Sequence, residues 1–392
     1  MTWPTAAEIL PDDAESATLV GRAWVPAVSG PSIVVLRGPE VVDVSAVFPT
    51  MRALTESVDP AAATAAAAAS GTRIGTIDEL VANTPPETRD AQRPWLLSPI
   101  DLQVVKAAGV TFPVSMIERV IEERARGDQD AAAAIRAEIL ATIGGSLDTL
   151  RPGSDEAMSL KAMLIERGWW SQYLEVGIGP DAEVFTKAPV LATVGACVDV
   201  GVHPASQWNN PEPEVVLVVA SDGRIVGASL GNDVNLRDVE GRSALLLGKA
   251  KDNNAACAVG PFIRLFDDGF TLDDVRAAEL TLTVEGTDGF RLDGRSSMSE
   301  ISRDPADLVA QTIGRHHQYP DGFMLFLGTM FAPVQDRDGA GQGFTHHAGD
   351  VVTIAAPGLG RLVNTVGLST EAPEWTFGAA ALMRNLAARG LL

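Results

Sequence analysis

The sequence predicts an α+β protein with a mostly β C-terminal half and a smaller N-terminal α+β part. Three observations predict it. From residue 191 onward, short apolar runs alternate with Gly-containing turns: CVDVGV, EVVLVVA, RIVGASL, LTLTVEG, GFRLDG, GFMLFLGT, DVVTIAA and GRLVNTV. Extended helical periodicity is concentrated between residues 101 and 170, apart from a shorter run near residue 304. The length of 392 residues exceeds one small core. Together they divide the chain into a small α+β domain at 1–98, a helical segment and connection with a lid role at 99–190, and a catalytic domain at 191–392.

The elements follow in order. RAWVPAVSGPSIVVLRGPEVVDVS reads as a β-meander broken by Gly and Pro. The run AAATAAAAAS has high helix propensity but no amphipathic stripe, so it is expected as a surface helix or a mobile loop. PPETRDAQRPWLLSP reads as a linker or extended chain. Residues 101–148 are expected to be helical, with Glu/Arg pairs at i,i+3 and i,i+4 on a solvated face. Before that run, Thr111, Ser115 and Glu118 stand at a helix start. Free N–H groups there suit an anion, with a plain N-cap as the competing reading. DEAMSLKAMLIERGWW is a second helix that Gly168 can end, and residues 174–190 are expected to be irregular. Asp304 as N-cap and Pro305 at the first position start a helix over 304–318.

A net charge of −21 argues against nucleic acid and anionic membranes as partners, but not against a small anion in a pocket holding a cation. Cys197 and Cys257 are the only cysteines, too few for a disulfide framework or a thiolate cluster, and are expected as buried free thiols. The N-terminal stretch lacks a signal-peptide pattern and no run of about 18 apolar residues occurs, so a cytoplasmic protein with no membrane partner is expected.

The stretch 209–251 carries the chemistry. Glu212 and Glu214 precede VVLVVA, and in a strand they point to one side. Like charges that close need a proton or a cation between them. A hairpin over 214–230, turning at Ser221, Asp222 and Gly223, brings Asp233 back toward the pair. Three oxygen ligands on a hard divalent cation is the simplest reading.

EPE at 212–214, NDVNLRD at 232–238, AKDNNAACAVGP at 250–261, FLGT at 326–329 and GDVVTI with GLGRLVN at 349–364 occur in colinear order. With these motifs the chain resembles the fumarylacetoacetate hydrolase superfamily. The resemblance implies a mixed β-sandwich or roll of fumarylacetoacetase type, with Mg²⁺ (Mn²⁺ or Ca²⁺ as alternatives) on Glu212, Glu214 and Asp233. It places the site lysine at Lys251, because a Cys-x-Val pattern follows six residues later; Lys249 is the fallback. It assigns Arg237 and Thr329 to substrate. Glu240 stands where the family often has Gln, and is read as part of a structural network with Arg237 and Asp238.

The family's hydrolases use a histidine in the N-terminal part, and this chain has none before His203. GVTF and GRHHQYPDGFMLFLGTMFAP resemble the sugar-acid dehydratase branch instead. That implies a Mg²⁺-dependent hydro-lyase taking a 2-keto-3-deoxy-pentonate to α-ketoglutarate semialdehyde, working as a homodimer or homotetramer. Lys251 and Glu183 are the expected catalytic pair, with Lys187 and Ser115 as further substrate contacts. A C–C hydrolase of acylpyruvate or fumarylacetoacetate type is the alternative enzyme. A non-enzymatic metal-binding β domain is the alternative outside enzymes.

Overall fold

The structure, a computed structural model, describes residues 3–112, 116, 120, 150–331, 333, 335–339 and 343–392. The N-terminal part contributes β1 (Leu19–Val25), β2 (Gly30–Arg37), β3 (Glu40–Asp43), β4 (Thr72–Thr76), β5 (Trp95–Leu97) and β6 (Val104–Gly109). Then follow β7 (Glu183–Ala188), β8 (Val198–Val202), β9 (Asn209–Asn210), β10 (Pro213–Val219), β11 (Ile225–Asp233), β12 (Asn235–Leu236) and β13 (Cys257–Leu265). The last are β14 (Glu279–Glu285), β15 (Arg291–Ser297), β16 (Phe323–Phe326), β17 (Val351–Ala356) and β18 (Gly360–Leu368).

One eleven-stranded sheet runs β4-β3-β2-β1-β13-β11-β10-β16-β6-β7, with β5 also paired to β1. A five-stranded sheet runs β15-β14-β17-β18-β8, and β9 pairs with β12. The meander read from the N-terminal part is therefore not a separate sheet. Its strand β1 pairs antiparallel with β13, so strands from both sides of residue 98 share one sheet.

Alternation along β10 shows how the layers meet. Val215, Leu217 and Val219 pack with Val200, Leu282, Ile354 and Leu362 of the smaller sheet. Val216 and Val218 point the other way, toward Met51, Leu54 and Ala67 of the helices Met51–Thr55 and Pro60–Ser70. Sheet covers one face and helices the other, so β10 is buried on both sides and reads as an unbroken apolar run. Each such Val is worth about 1.5–3 kcal/mol of burial. The alanine run forms a helix. Asp59 caps it through Ala62 N at 2.9 Å, Pro60 occupies its first position, and Thr64, Ala67 and Ala68 are buried, so it packs on the sheet.

Three sequence expectations are corrected. Residues 101–148 are not helical at their start: Val104–Gly109 is β6, parallel to β16, with Val105 and Ala107 fully buried. Pairing with a central strand decided this run, whose alternation is too short to be distinctive. Residues 174–190 are not irregular: Ser171 caps the helix Gln172–Ile178, and β7 follows, paired with β6. The helix at Pro305 ends at Thr312, leaving His316 and His317 in the turn beyond it. The helix expected after residue 115 lies outside the described residues, apart from Met116 and Val120, which are helical. Among the described residues no helix is long and apolar enough to cross a membrane.

Candidate metal centre and active site

The β10–β11 hairpin builds the site. Gly223, at φ +88°, makes the turn, and the register sets Pro213 opposite Asn232 and Glu214 opposite Gly231. A side chain at 231 is excluded, because its Cβ would lie 2.2 Å from the Phe326 ring and 2.5 Å from Val216. The chain then crosses back, with Asp233 N donating to Glu212 O at 3.0 Å and Glu212 N to Asn232 Oδ1 at 3.1 Å. Glu212, Glu214 and Asp233 converge: one carboxylate oxygen from each lies within 4.8 Å of the others. They are 3%, 1% and 1% exposed.

Three carboxylates so placed cannot all stay charged unaided. Burial, then Asp233 and Glu212, push the Glu214 carboxyl well above its usual range, against Lys251 and the Gly328 amide. Gly328 N donates to Glu214 Oε2 at 2.7 Å. Burial opposes the charge on Asp233, but Lys187 and Lys251 outweigh it and hold that carboxyl below its usual range. Burial alone would discharge the Lys251 ammonium; Asp233, Glu212 and Glu240 reverse this and hold it above the ordinary lysine range. Lys251 Nζ donates to Glu212 Oε2 and, at 3.0 Å, to Asp233 Oδ2. Asn235 Nδ2 donates to the other Glu212 oxygen at 3.0 Å. Three buried carboxyl groups beside Lys187 and Lys251 make an oxygen-rich, acidic cluster. That donor set fits a hard divalent cation.

A cleft opens beside the cluster, lined by Glu212, Asp233 and Lys251 on one side and by Glu183, Phe185, Thr329 and Glu240 around it. Glu183 and Phe185 sit two apart on β7 and reach the same cleft, as an extended chain requires. Phe185 holds its ring centroid 5.6 Å from Lys251 Nζ. Glu183 pairs in register with Gly109 of β6, and a Cβ at 109 would lie 2.0 Å from Glu183 Oε2. Thr329 Oγ1 donates to Phe331 O at 3.1 Å, next to the Gly328 amide that holds Glu214.

Of the residues singled out from sequence, the structure brings together Glu212, Glu214, Asp233, Lys251, Glu183 and Thr329. Lys187 is a correction. It is fully buried behind Asp233, not in the cleft lining, because it is the extra residue at the β6–β7 register shift, between Thr186 and Ala188, which breaks the two-residue alternation. Arg237 is also absent from the lining. Its guanidinium lies 4.5 Å from the centroid of the Trp208 ring and is 3.5 Å from Pro333 O. Ser115 lies outside the described residues. His203 Nδ1 accepts from Ala205 N at 3.1 Å, and no histidine is among the described residues lining the cleft. Sequence reasoning missed Gly109, Val110 and the placement of Glu240 in the lining. Glu240 shares the amide of Asn235 with Glu212, a link legible only once β12 is folded. Gly109 carries no signal beyond being a glycine.

Comparison with known proteins places the chain among named relatives. Residues 180–367 match the family model "Fumarylacetoacetate (FAA) hydrolase C-terminal". The chain is 30% identical over 239 residues to a probable 2-keto-3-deoxyxylonate dehydratase of Haloferax volcanii, covering 61% of this chain and 75% of that one. It is 28% identical over 184 residues to a 2-dehydro-3-deoxy-D-arabinonate dehydratase of Saccharolobus solfataricus, covering 47% of this chain and 58% of that one. The solved apo structure of a 2-keto-3-deoxy-D-arabinonate dehydratase superposes with TM-score 0.59 at 20% identity, over 89% of this chain and 99% of that one. The chain belongs to the fumarylacetoacetate hydrolase family and is an enzyme.

Proposed function

We propose that the protein is a Mg²⁺-dependent dehydratase of 2-keto-3-deoxy sugar acids, taking a 2-keto-3-deoxy-pentonate to α-ketoglutarate semialdehyde with loss of one water. The observation that carries the proposal is the buried triad Glu212, Glu214 and Asp233, two of whose members, Glu212 and Asp233, line one cleft with Lys251 and Glu183. The names of the relatives support the substrate class, and one solved relative of the fold is a 2-keto-3-deoxy-D-arabinonate dehydratase complexed with magnesium and 2,5-dioxopentanoate.

A divalent cation held by the acidic cluster would offset its negative charge and receive the carboxylate of a keto acid. A bound cation supplies Lewis acidity at the C2 carbonyl and lowers the pKa of the neighbouring C3–H. The Lys251 ammonium, held charged by its carboxylate neighbours, faces the oxygen on which negative charge develops. Glu183, across the cleft, takes the C3 proton and returns it to the C4 hydroxyl as the C4–O bond breaks. Proton shifts then turn the allylic alcohol end into the aldehyde. Thr329 and Glu240 offer polar contacts to the substrate from the rim. The cleft lining lacks a histidine among the described residues, which favours dehydration over the water-activating chemistry of a C–C hydrolase.

A panel of 2-keto-3-deoxy acids, incubated with Mg²⁺ or EDTA and analysed for semialdehyde, tests the proposal. Metal-dependent semialdehyde from a pentonate is expected. Pyruvate or another cleaved acid, with no semialdehyde, rejects the dehydratase; no turnover of any 2-keto acid rejects the assigned chemistry.

A further inference from the structure

Lys187 is a fully buried charged residue outside the cleft. A lysine in the interior needs partners for its charge and its three N–H groups. It has them: Nζ stands 2.7 Å from Asp233 Oδ1, and donates to Val234 O at 3.0 Å and Lys251 O at 2.5 Å. All three contacts bear on the metal centre. The first fixes the oxygen of Asp233 turned away from Lys251, so Oδ2 is the one left facing the cluster. The second holds the backbone just after Asp233, and the third holds that of Lys251. Residues 234 and 251 bound the segment that carries Glu240, so one ammonium pins both of its ends.

Lys187 also lies four residues beyond Glu183 on β7, with Phe185 between them. One strand therefore presents Glu183 to the cleft and anchors the triad from behind.

We propose that Lys187 is a positioning residue for the metal centre: it sets the orientation of Asp233 and the position of the Lys251 backbone, and touches neither substrate nor metal. The inference rests on the metal-site reading above. Ligating carboxylates depend on such outer hydrogen bonds, whose loss commonly costs about 10–100-fold in metal affinity or activity.

The test is titration calorimetry of Mg²⁺ into the metal-free full-length protein, without substrate. Three variants are compared with wild type: Lys187→Met, Lys187→Arg and the remote control Arg264→Met. Arg264 is a buried charge paired with Asp13, away from the site. Melting temperature is recorded for each. Lys187→Met is expected to weaken Mg²⁺ binding about 10–100-fold, and Lys187→Arg to weaken it too, because a planar fork cannot reproduce the three-point contact of an ammonium. Arg264→Met is expected to melt earlier with unchanged Mg²⁺ affinity. Should Lys187→Met not fold, Lys187→Arg, which keeps the charge, decides alone. Mg²⁺ affinity within threefold of wild type in the folded Lys187 variants overturns the proposal while the metal site stands. Absence of Mg²⁺ binding in wild type overturns both.

Discussion

At the scale of single residues, the cluster works by forcing three acids into a space that water cannot screen. Glu214 is the most exposed to this pressure in the electrostatic sense, because burial, Asp233 and Glu212 all oppose its charge. Replacing it by Gln removes one ligand and keeps the size, and the Gly328 amide still finds an oxygen acceptor. Glu214→Gln is expected to lower metal-dependent turnover at least ~100-fold, as loss of several kcal/mol of Lewis-acid stabilisation requires. The circular dichroism spectrum and melting temperature should stay near those of wild type; retained activity would count against the whole constellation. Glu183 plays a different part. Its neutral analogue Gln keeps the contact and loses the proton, so Glu183→Gln is expected to reduce kcat by about 10²–10⁴-fold. Mg²⁺ affinity should not change, since Glu183 lies outside the triad. Equal loss of metal binding in this variant would move Glu183 into the metal centre.

At the scale of elements, the proposed active site is an agreement between one hairpin and one strand pair. The β10–β11 hairpin supplies Glu212, Glu214 and Asp233; the β6–β7 pair supplies Glu183 across from them. Gly109 is where the second arrangement is tested most simply. Its Cα leaves the room that the Glu183 carboxylate fills, and a methyl group there would sit 2.0 Å from Oε2. Gly109→Ala is expected to push Glu183 aside and lower kcat by roughly 10²-fold, the effect of about 1 Å of misplacement. Both the far-ultraviolet spectrum and Mg²⁺ binding should persist. Unchanged kcat would show that Glu183 needs no fixed position. The hairpin was legible in the sequence, because SDG between two apolar runs is a local turn signal and period two then dictates which acids share a face. The β6–β7 pair was not. VVKAAG reads as helix or strand with equal ease, and its partner β16 is over 200 residues away in the chain.

At the scale of the molecule, turns of the five-stranded sheet, the loop after Thr329 and the chain entering β9 are fastened by a polar clasp. Arg337 donates to both oxygens of Asp350, at 2.6 and 2.8 Å, and also reaches Asp288 at 3.1 Å. His346 Nδ1 lies 3.2 Å from the same Asp350 carboxylate, and His347 N donates to it at 2.9 Å. Thr345, beside them, bonds Asn209 N and Gln207 O, so the clasp also tethers the chain leading into the metal hairpin. Burial opposes the Asp350 charge, but hydrogen bonds from Arg337, His346 and His347 hold its carboxyl well below the usual range. Burial depresses the His346 imidazole below its usual value, more than Asp350 raises it. Both shifts have the same sign for stability. In each, the unfolded chain binds protons that the folded one refuses, so stability rises with pH. The His346 contribution is lost as pH falls below about 6.5, and that of Asp350 below about 4. The melting-temperature difference between wild type and His346→Gln, in which the opposite shift of Glu214 cancels, is expected to shrink as pH falls below about 6.5. A difference that grows on acidification would reverse the argument. Asp350→Asn is expected to cost roughly 1–3 kcal/mol at neutral pH, because Arg337 loses one of its two carboxylate partners and keeps Asp288.

Local chemistry by itself determined the acidic triad, the hairpin that presents it and the β character of the C-terminal half. Each follows from residues close in the chain, where alternation and turn type act over short distances. Tertiary structure alone decided that the N-terminal strands complete the eleven-stranded sheet, that Glu240 reaches the cleft, and that Lys187 faces inward to Asp233 while Glu183 faces the cleft. Those facts depend on which distant strands pair and in what register. A single-residue slip or a local twist reverses which side chains meet, and pairing between distant segments is paid for by burial across the whole core, which no short window of sequence contains.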